Sequence, residues 1–269
     1  MSTANISPKD VMTLRERTGL GMMDCKAALA DANGDMKVAE ERLREKLKGK
    51  MDTRTDRAAG EGCVAVAVDG DHAAVIEVRA ETDFTARNPE FRTMATELAK
   101  MACKGTPGKV EFTDGMKKRL DDVRIKTGEN LSFAGGVRLE GGNFASYVHH
   151  DGKKAALLQY TGTMSADLAA GICQHIVAAT PTPISVDEKG VPAELIAARQ
   201  REAVEEAKAS GKPEQIAVKM AEGKMRKFFE EVTLLGQPYV RDDKKRIKEL
   251  LPAGVTLVHF VRMTLGTHA

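Results

Sequence analysis

Residues 75–91 read VIEVRAETDFTARNPEF, with an acid and a phenylalanine, Asp83 and Phe84, side by side between Thr82 and Thr85. One carboxylate beside an aromatic ring has no partner to move its pKa, so acid–base catalysis here lacks its second group. His149-His150 is the one histidine cluster, placed just before a turn in a strand pattern. As metal ligands the two would need a third partner that the sequence does not nominate. Cys25, Cys63, Cys103 and Cys173 lie far apart with no CxxC pair. That spacing predicts small, buried, reduced thiols rather than zinc ligands or disulfides. There is no Walker loop and no GxSxG, HExxH or GxGxxG motif, and nothing brings a nucleophile, a base and an oxyanion hole together. The residue types predict a binding protein with no catalytic residue, no metal site and no cofactor.

Asp83 and Phe84 stand in a connection between two elements. The run CVAVAVDGDHAAVIEVRAE, from Cys63, has two β-rich segments around Asp69-Gly70, a hairpin signal. Asn88-Pro89 then starts a helix with Phe91, Met94, Leu98 and Met101 at helical spacing. DGMKKRLDDVRIKTG gives a second short helix. The hairpin recurs. VAVDGDHAAVIEV aligns without a gap on VHHDGKKAALLQY, a hairpin around Asp151-Gly152, and a helix follows each copy, closing in Thr-Pro at Pro107 and Pro181. The first copy carries eight extra residues between hairpin and helix, and TDFTARNP falls there. Added length between packed elements is usually exposed and is a place to look for function.

The rest of the chain frames this core. Residues 1–50 read as three short helices. Ser7 caps the first, Pro8 opens it, Ile6 staples onto Val11, and Gly19 ends it. The second places Met22, Cys25, Leu29 and Ala32 on one face and stops at Gly34; Asp35 caps the third. Residues 51–61 are polar and aperiodic, a linker. The core divides into a first α+β subdomain, 62–140, and a second, 141–269. The second includes a helical hairpin at about 191–234, in which Leu195, Ile196 and Val204 face Ile216, Val218 and Met220 in narrow apolar seams. KELLPAGVTLVHFVRMTLG closes the chain as a strand that joins a sheet. The fold class is α+β.

A net charge of +2 on 269 residues, with only 4% aromatics, argues against a dedicated nucleic-acid binder. No run of 18 apolar residues and no signal-peptide core occurs, which predicts a cytoplasmic protein that does not enter a membrane. The alternative class is an RNA- or ribosome-associated binding protein, using the basic residues of the linker; the interleaved acids weigh against it.

Several stretches together resemble bacterial elongation factor Ts, the nucleotide exchange factor of elongation factor Tu. LRERTGLGMMDCKAALADANGD (14–35) resembles the family's helical module. ETDFTARN, KTGENLSF and SYVHHDGK resemble its core motifs, and GKPEQIAVKMAEGKMRKFFEEVTLLGQPYVRDDKK its C-terminal one. The resemblance implies a ubiquitin-associated-like three-helix module, a linker and two related α+β halves with a coiled-coil hairpin. It implies guanine nucleotide exchange on elongation factor Tu, bound GDP-loaded and nucleotide-free, with no direct nucleic-acid contact expected. By the same resemblance the TDF loop enters the GTPase near its Mg²⁺ site. Asp83 and Phe84 are then the intruding pair, flanked by Thr82 and Thr85. Met22, Met23 and Lys26 lie on the module face that meets the GTPase domain. His149 matches a contact near the partner's phosphate-binding side, and Val240, in QPYVRDD, a further contact. The helical hairpin is a candidate homodimer contact. Thr85 stands where valine is commoner after Phe, Thr127 where an aliphatic is usual, and SFAG where SFRR is usual; the two threonines are expected to soften apolar contact with the partner.

Overall fold

The computed structural model describes residues 6–52, 57–211 and 213–267. Its N-terminal region is three helices, α1 (Pro8–Thr18), α2 (Met22–Asp31) and α3 (Met36–Asp52). The Ser7 hydroxyl accepts from Lys9 N, and Gly19 ends α1 in the left-handed region at φ 71°. The Asp35 carboxylate accepts from Lys37 N and Val38 N and opens α3. Val11, Leu14, Cys25, Ala28, Leu29, Ala32, Ala39 and Leu43 form a small core with Ile6 packed on it. The linker expectation falls in part on 53–56, outside the described residues.

Strands β1 (Glu61–Asp69) and β2 (His72–Ala80) pair antiparallel. They are followed by helices α4 (Asp83–Arg87) and α5 (Pro89–Ala102), strand β3 (Gly108–Lys109), helix α6 (Asp114–Thr127) and strand β4 (Ser132–Glu140), giving a sheet of order β1-β2-β4-β3. The second half runs β5 (Asn143–Val148), β6 (Lys154–Thr161), helices α7 (Ala166–Ala178), α8 (Ala193–Ala209) and α9 (Glu214–Val232), the short ribbon β7 (Pro238–Tyr239) and β8 (Asp242–Arg246), helix α10 (Ile247–Leu250) and β9 (Thr256–Thr264). Its sheet has order β5-β6-β9.

The two sheets stack back to back. Val64, Ala73 and Val75 of the first meet Ala155, Leu157, Val261 and Met263 of the second in one apolar layer. The opposite face of the first sheet packs under α5 and α6 with Ile76, Val78, Phe91, Met94 and Leu98. That of the second packs Ala156 and Leu158 against Ile172, Cys173 and Ile176 of α7. Strands buried on both faces read as unbroken apolar runs, which is why VAVA (64–67) and AALL (155–158) do not alternate with polar residues.

The duplication is visible in the backbone. Each half has a third strand beside its hairpin, and each pairing shifts register at an equivalent place, Glu77/Val78 with β4 and Gln159/Tyr160 with β9. The turns differ. Asp69 pairs with His72 across a tight loop, whereas Val148 pairs with Ala155 across a longer one. There Gly152, at φ 74°, donates to the His149 carbonyl at 2.8 Å. The added length of the first copy is not all in one connection: residues 81–88 separate β2 from α5 and 162–165 separate β6 from α7, and the remainder lengthens α5 and the turn beyond it.

Strand β4 was not legible in the sequence, because Gly135-Gly136 interrupts its pattern. A Cβ on Gly136 would lie 2.6 Å from the Val75 carbonyl oxygen, so the close approach of β2 demands glycine. The helical hairpin also differs from expectation. Its buried residues are Ala203, Ala207 and Ala217, while Ile216 and Val218 are exposed. Small side chains line the closest approach of the two helices, and of the six expected seam residues Leu195, Ile196, Val204 and Met220 are half-buried beside it. In α5, likewise, Met101 is partly exposed and Ala95 and Ala102 complete the buried face.

Candidate partner-binding site

TDFT is not a loop but the start of α4, a helix of five residues too short to show periodicity. The Thr82 hydroxyl accepts from Thr85 N at 3.3 Å and caps it. Thr85 and Ala86 are buried beneath, and Asp83 is half-buried in an ion pair with Arg87 at 3.2 Å. Phe84 points the other way and is 84% exposed. The fold thus presents one bare aromatic ring on a capped helix. Thr85 is buried, so in the free protein its side chain packs α4 onto the fold. Thr127 likewise donates its hydroxyl to the Val123 carbonyl at 3.0 Å within α6.

A contiguous series of contacts joins α4 to two other candidate patches. Arg92 of α5 donates to the Ala86 carbonyl at 3.4 Å, and a Cβ on Gly152 would lie 3.7 Å from the Arg92 guanidinium. Gly152 belongs to the turn carrying His149, and its carbonyl accepts from Val64 N at 2.8 Å. The turn is held further by Lys153 on Glu61 at 2.7 Å. His149 is half-buried, with Nδ1 3.0 Å from the Tyr147 hydroxyl and its ring 4.2 Å from that of exposed His150. In the other direction, Glu129 just past α6 receives two hydrogen bonds from Thr82: the hydroxyl donates at 2.7 Å and the backbone N–H at 3.2 Å. A Cβ on Gly19, in the turn that leads to α2, would lie 3.7 Å from the Lys126 side chain. Met22 and Met23 open that helix, 42% and 75% exposed, with Lys26 exposed one turn on. Met22 leaves the expected buried face, which Ala28 fills instead. The module is held on α6 by the ion pairs Arg44–Asp122 and Lys48–Asp121.

Val240 stands apart, half-exposed in the turn between β7 and β8. Its backbone N–H donates to Nδ1 of His175 at 3.1 Å, so the imidazole proton sits on Nε2 and is donated to Gln237 Oε1 at 2.8 Å. Gln237 Nε2 in turn donates to the Pro181 and Glu231 carbonyls. Both side chains are buried and fully partnered. Burial pushes the His175 pKa down from 6.5, against the opposing hydrogen bond to Gln237. An unfolded histidine takes up a proton near pH 6.5 that the folded one refuses. Stability contributed here is therefore complete above 6.5, falls as pH drops through the window below it, and levels off below the depressed folded value. The fall is at most about 1.4 kcal/mol per pH unit. Denaturant titrations at pH 7.5 and 5.5 should show this loss in the wild type and not in His175→Gln; equal pH slopes in the two would mean that His175 charges without cost.

The four cysteines are free and buried, and burial pushes Cys63 and Cys173 up to about 12. Among the described residues no three His, Cys, Asp or Glu side chains converge as a metal site. Among them, too, no helix is long and apolar enough to cross a membrane.

The family model described as Elongation factor TS matches residues 81–267, beginning one residue before the α4 cap. Elongation factor Ts of Thiobacillus denitrificans is 41% identical over 266 residues, 95% of this chain and 90% of the relative. That of Methylobacillus flagellatus is 40% identical over 274 residues, 98% and 93% of the two chains. That of Thermobifida fusca is 37% identical over 277 residues, 98% and 99%. With a three-helix N-terminal region, two small antiparallel sheets and matches along nearly its whole length, the chain belongs to the elongation factor Ts family of translation elongation factors.

Proposed function

We propose that this protein is the guanine nucleotide exchange factor of translation elongation factor Tu, acting in the cytoplasm as a protein factor without covalent chemistry. It binds the GDP form, disturbs the partner's Mg²⁺ and phosphate site, promotes GDP release and allows GTP to rebind. The observation that carries this is Phe84, bare on a helix that is otherwise capped and packed. Phe84 is the apolar wedge, and Asp83 the acceptor or negative charge beside it. Thr82 and Thr85 belong to the same site by holding the two in place. Mg²⁺ demands near-ideal octahedral geometry, so a small shift of the groups around it unseats it and GDP loses a counter-charge. Met22, Met23 and Lys26 bind the GTPase domain, His149 lies toward its phosphate side, and Val240 makes a separate contact. The test is stopped-flow release of fluorescent GDP from elongation factor Tu with and without this protein. Acceleration is expected, and GDP must weaken binding of this protein by the same factor that this protein weakens GDP.

The module supplies affinity more than exchange power. It is set on α6 by ion pairs and carries none of α4, so it acts by raising the effective concentration of the core at the partner. Deleting residues 1–50 should raise the concentration for half-maximal exchange by about tenfold or more, with a smaller change in the maximal rate. A vanished maximal rate with unchanged binding would contradict this division.

A further inference from the structure

We infer that Glu129 is a positioning residue for exchange: its carboxylate clamps the cap of α4 and fixes the direction in which Phe84 projects. This rests on the exchange role proposed above and goes beyond it, because Glu129 lies 47 residues from Thr82 in sequence and is only half-buried behind it.

The geometry makes the hydrogen-bond chain directional. The Thr82 hydroxyl has one proton. It is donated to Glu129 Oε1 at 2.7 Å, which leaves the oxygen lone pairs free to accept from Thr85 N at 3.3 Å. The other carboxylate oxygen accepts from Thr82 N at 3.2 Å. Both donors therefore need an acceptor-only side chain at 129, which an ionised carboxylate is and an amide is not. The neighbouring residues repeat the link in reverse. Glu81 Oε1 accepts from Asn130 N at 2.7 Å, and the Asn130 side chain donates to the Arg57 carbonyl at 2.8 Å. Two short stretches, 81–82 and 129–130, are thus joined by reciprocal bonds between acids and backbone. Gly128, left-handed at φ 70°, turns the chain at the end of α6 so that Glu129 faces Thr82.

Helix α4 needs such a clamp. Five residues are too few to hold a helix by their own hydrogen bonds, and Phe84, being exposed, adds no packing. A wedge on a fraying helix would dock and yield. A wedge on a clamped one transmits force to what it meets. Bonds to a charged acceptor are the strong ones, so their loss is expected to lower maximal exchange about tenfold, with little change in half-saturating concentration.

The experiment is a double-mutant cycle read by fluorescent GDP release at saturation, with amide hydrogen exchange of α4 in the free protein. Glu129→Ala should lower the maximal rate, Glu129→Gln should fall between, and Glu129→Ala on top of Phe84→Ala should cost little more, because both act through one ring. Thr82→Ser, which keeps the hydroxyl, should retain exchange where Thr82→Val loses it. Protection of the Thr85 and Ala86 amides should drop in Glu129→Ala while protection in α5 and β2 stays, which shows that the variant is folded. Wild-type maximal rate in Glu129→Ala, or losses that add fully on the Phe84→Ala background, would overturn the proposal. If Phe84→Ala itself exchanges normally, the wedge role fails instead. The clamp is then decided by the amides alone: unchanged protection in Glu129→Ala overturns it, and selective loss upholds it.

Discussion

Phe84→Ala is expected to slow GDP release from elongation factor Tu about thirtyfold at saturating concentration, the factor for about 2 kcal/mol, which is what an aromatic anchor at the centre of an interface typically carries. The melting temperature should scarcely move. Surface substitutions away from caps and networks stay within about 0.5 kcal/mol, and the 84% exposed ring of Phe84 has little internal packing to lose. Phe91, seven residues on and fully buried beneath the first sheet, is the internal control. Phe91→Ala removes core and costs about 3–5 kcal/mol. Asp83→Asn should separate charge from hydrogen bonding: a mild effect means an acceptor suffices, and an effect equal to Asp83→Ala means the charge matters. The Arg87 pair does not confuse this, because an exposed i,i+4 pair contributes little. With the partner's Mg²⁺ chelated, wild type and Phe84→Ala should converge, since nothing remains for the wedge to displace. Thermal melts and stopped-flow release, each with and without chelator, decide it. A large melting drop with unimpaired maximal exchange would make Phe84 a packing residue and remove the wedge.

What made Phe84 legible was local. A strand pattern stopped, Asn88-Pro89 announced a helix, and the ring between had no periodic place to go. Caps were legible for the same reason: Ser7, Asp35 and Asn88 act within three residues of themselves. The repeat was legible because Asp-Gly and Ala-Ala recur in register, and the equivalent bulges at Glu77/Val78 and Gln159/Tyr160 show that it extends to the third strand. What was not legible is long-range or too small to have a period. Helix α4 is shorter than two turns. Strand β4 is broken by two glycines whose need arises only from β2 beside it. The seam of the helical hairpin is alanine, and alanine is apolar too weakly to stand out against Ile216 and Val218, which face solvent. The bond from Thr82 to Glu129 joins two motifs that the sequence shows separately and that only the fold brings together. His175 was invisible as the support of Val240 for the same reason, its partner being 65 residues away.

Leu157→Ala and Leu158→Ala should each destabilise the protein by about 2–5 kcal/mol, the range for truncating a buried leucine. Adjacent residues on a strand point to opposite faces, so in a sheet with one wet face only one of the pair could cost that much. Here both are fully buried. Leu157 lies in the layer between the sheets with Val64, Val75, Val261 and Met263, and Leu158 lies under α7 with Ile172 and Ile176. The two losses differ in their consequences. Leu158→Ala weakens the second half alone, and denaturation should remain a single cooperative transition. Leu157→Ala empties the layer that fixes one half against the other, and with it the seat of the His149 turn, whose Gly152 carbonyl accepts from Val64 of the first sheet. Amide exchange at Val64 should therefore speed up in Leu157→Ala more than in Leu158→Ala at matched global stability. On the proposed exchange role, in which α4 and the His149 turn act on one nucleotide site, exchange on the partner should show the same order. If Leu157→Ala were as stable as wild type, the back-to-back layer would not be a packed core, and the unbroken apolar runs VAVA and AALL would need another cause.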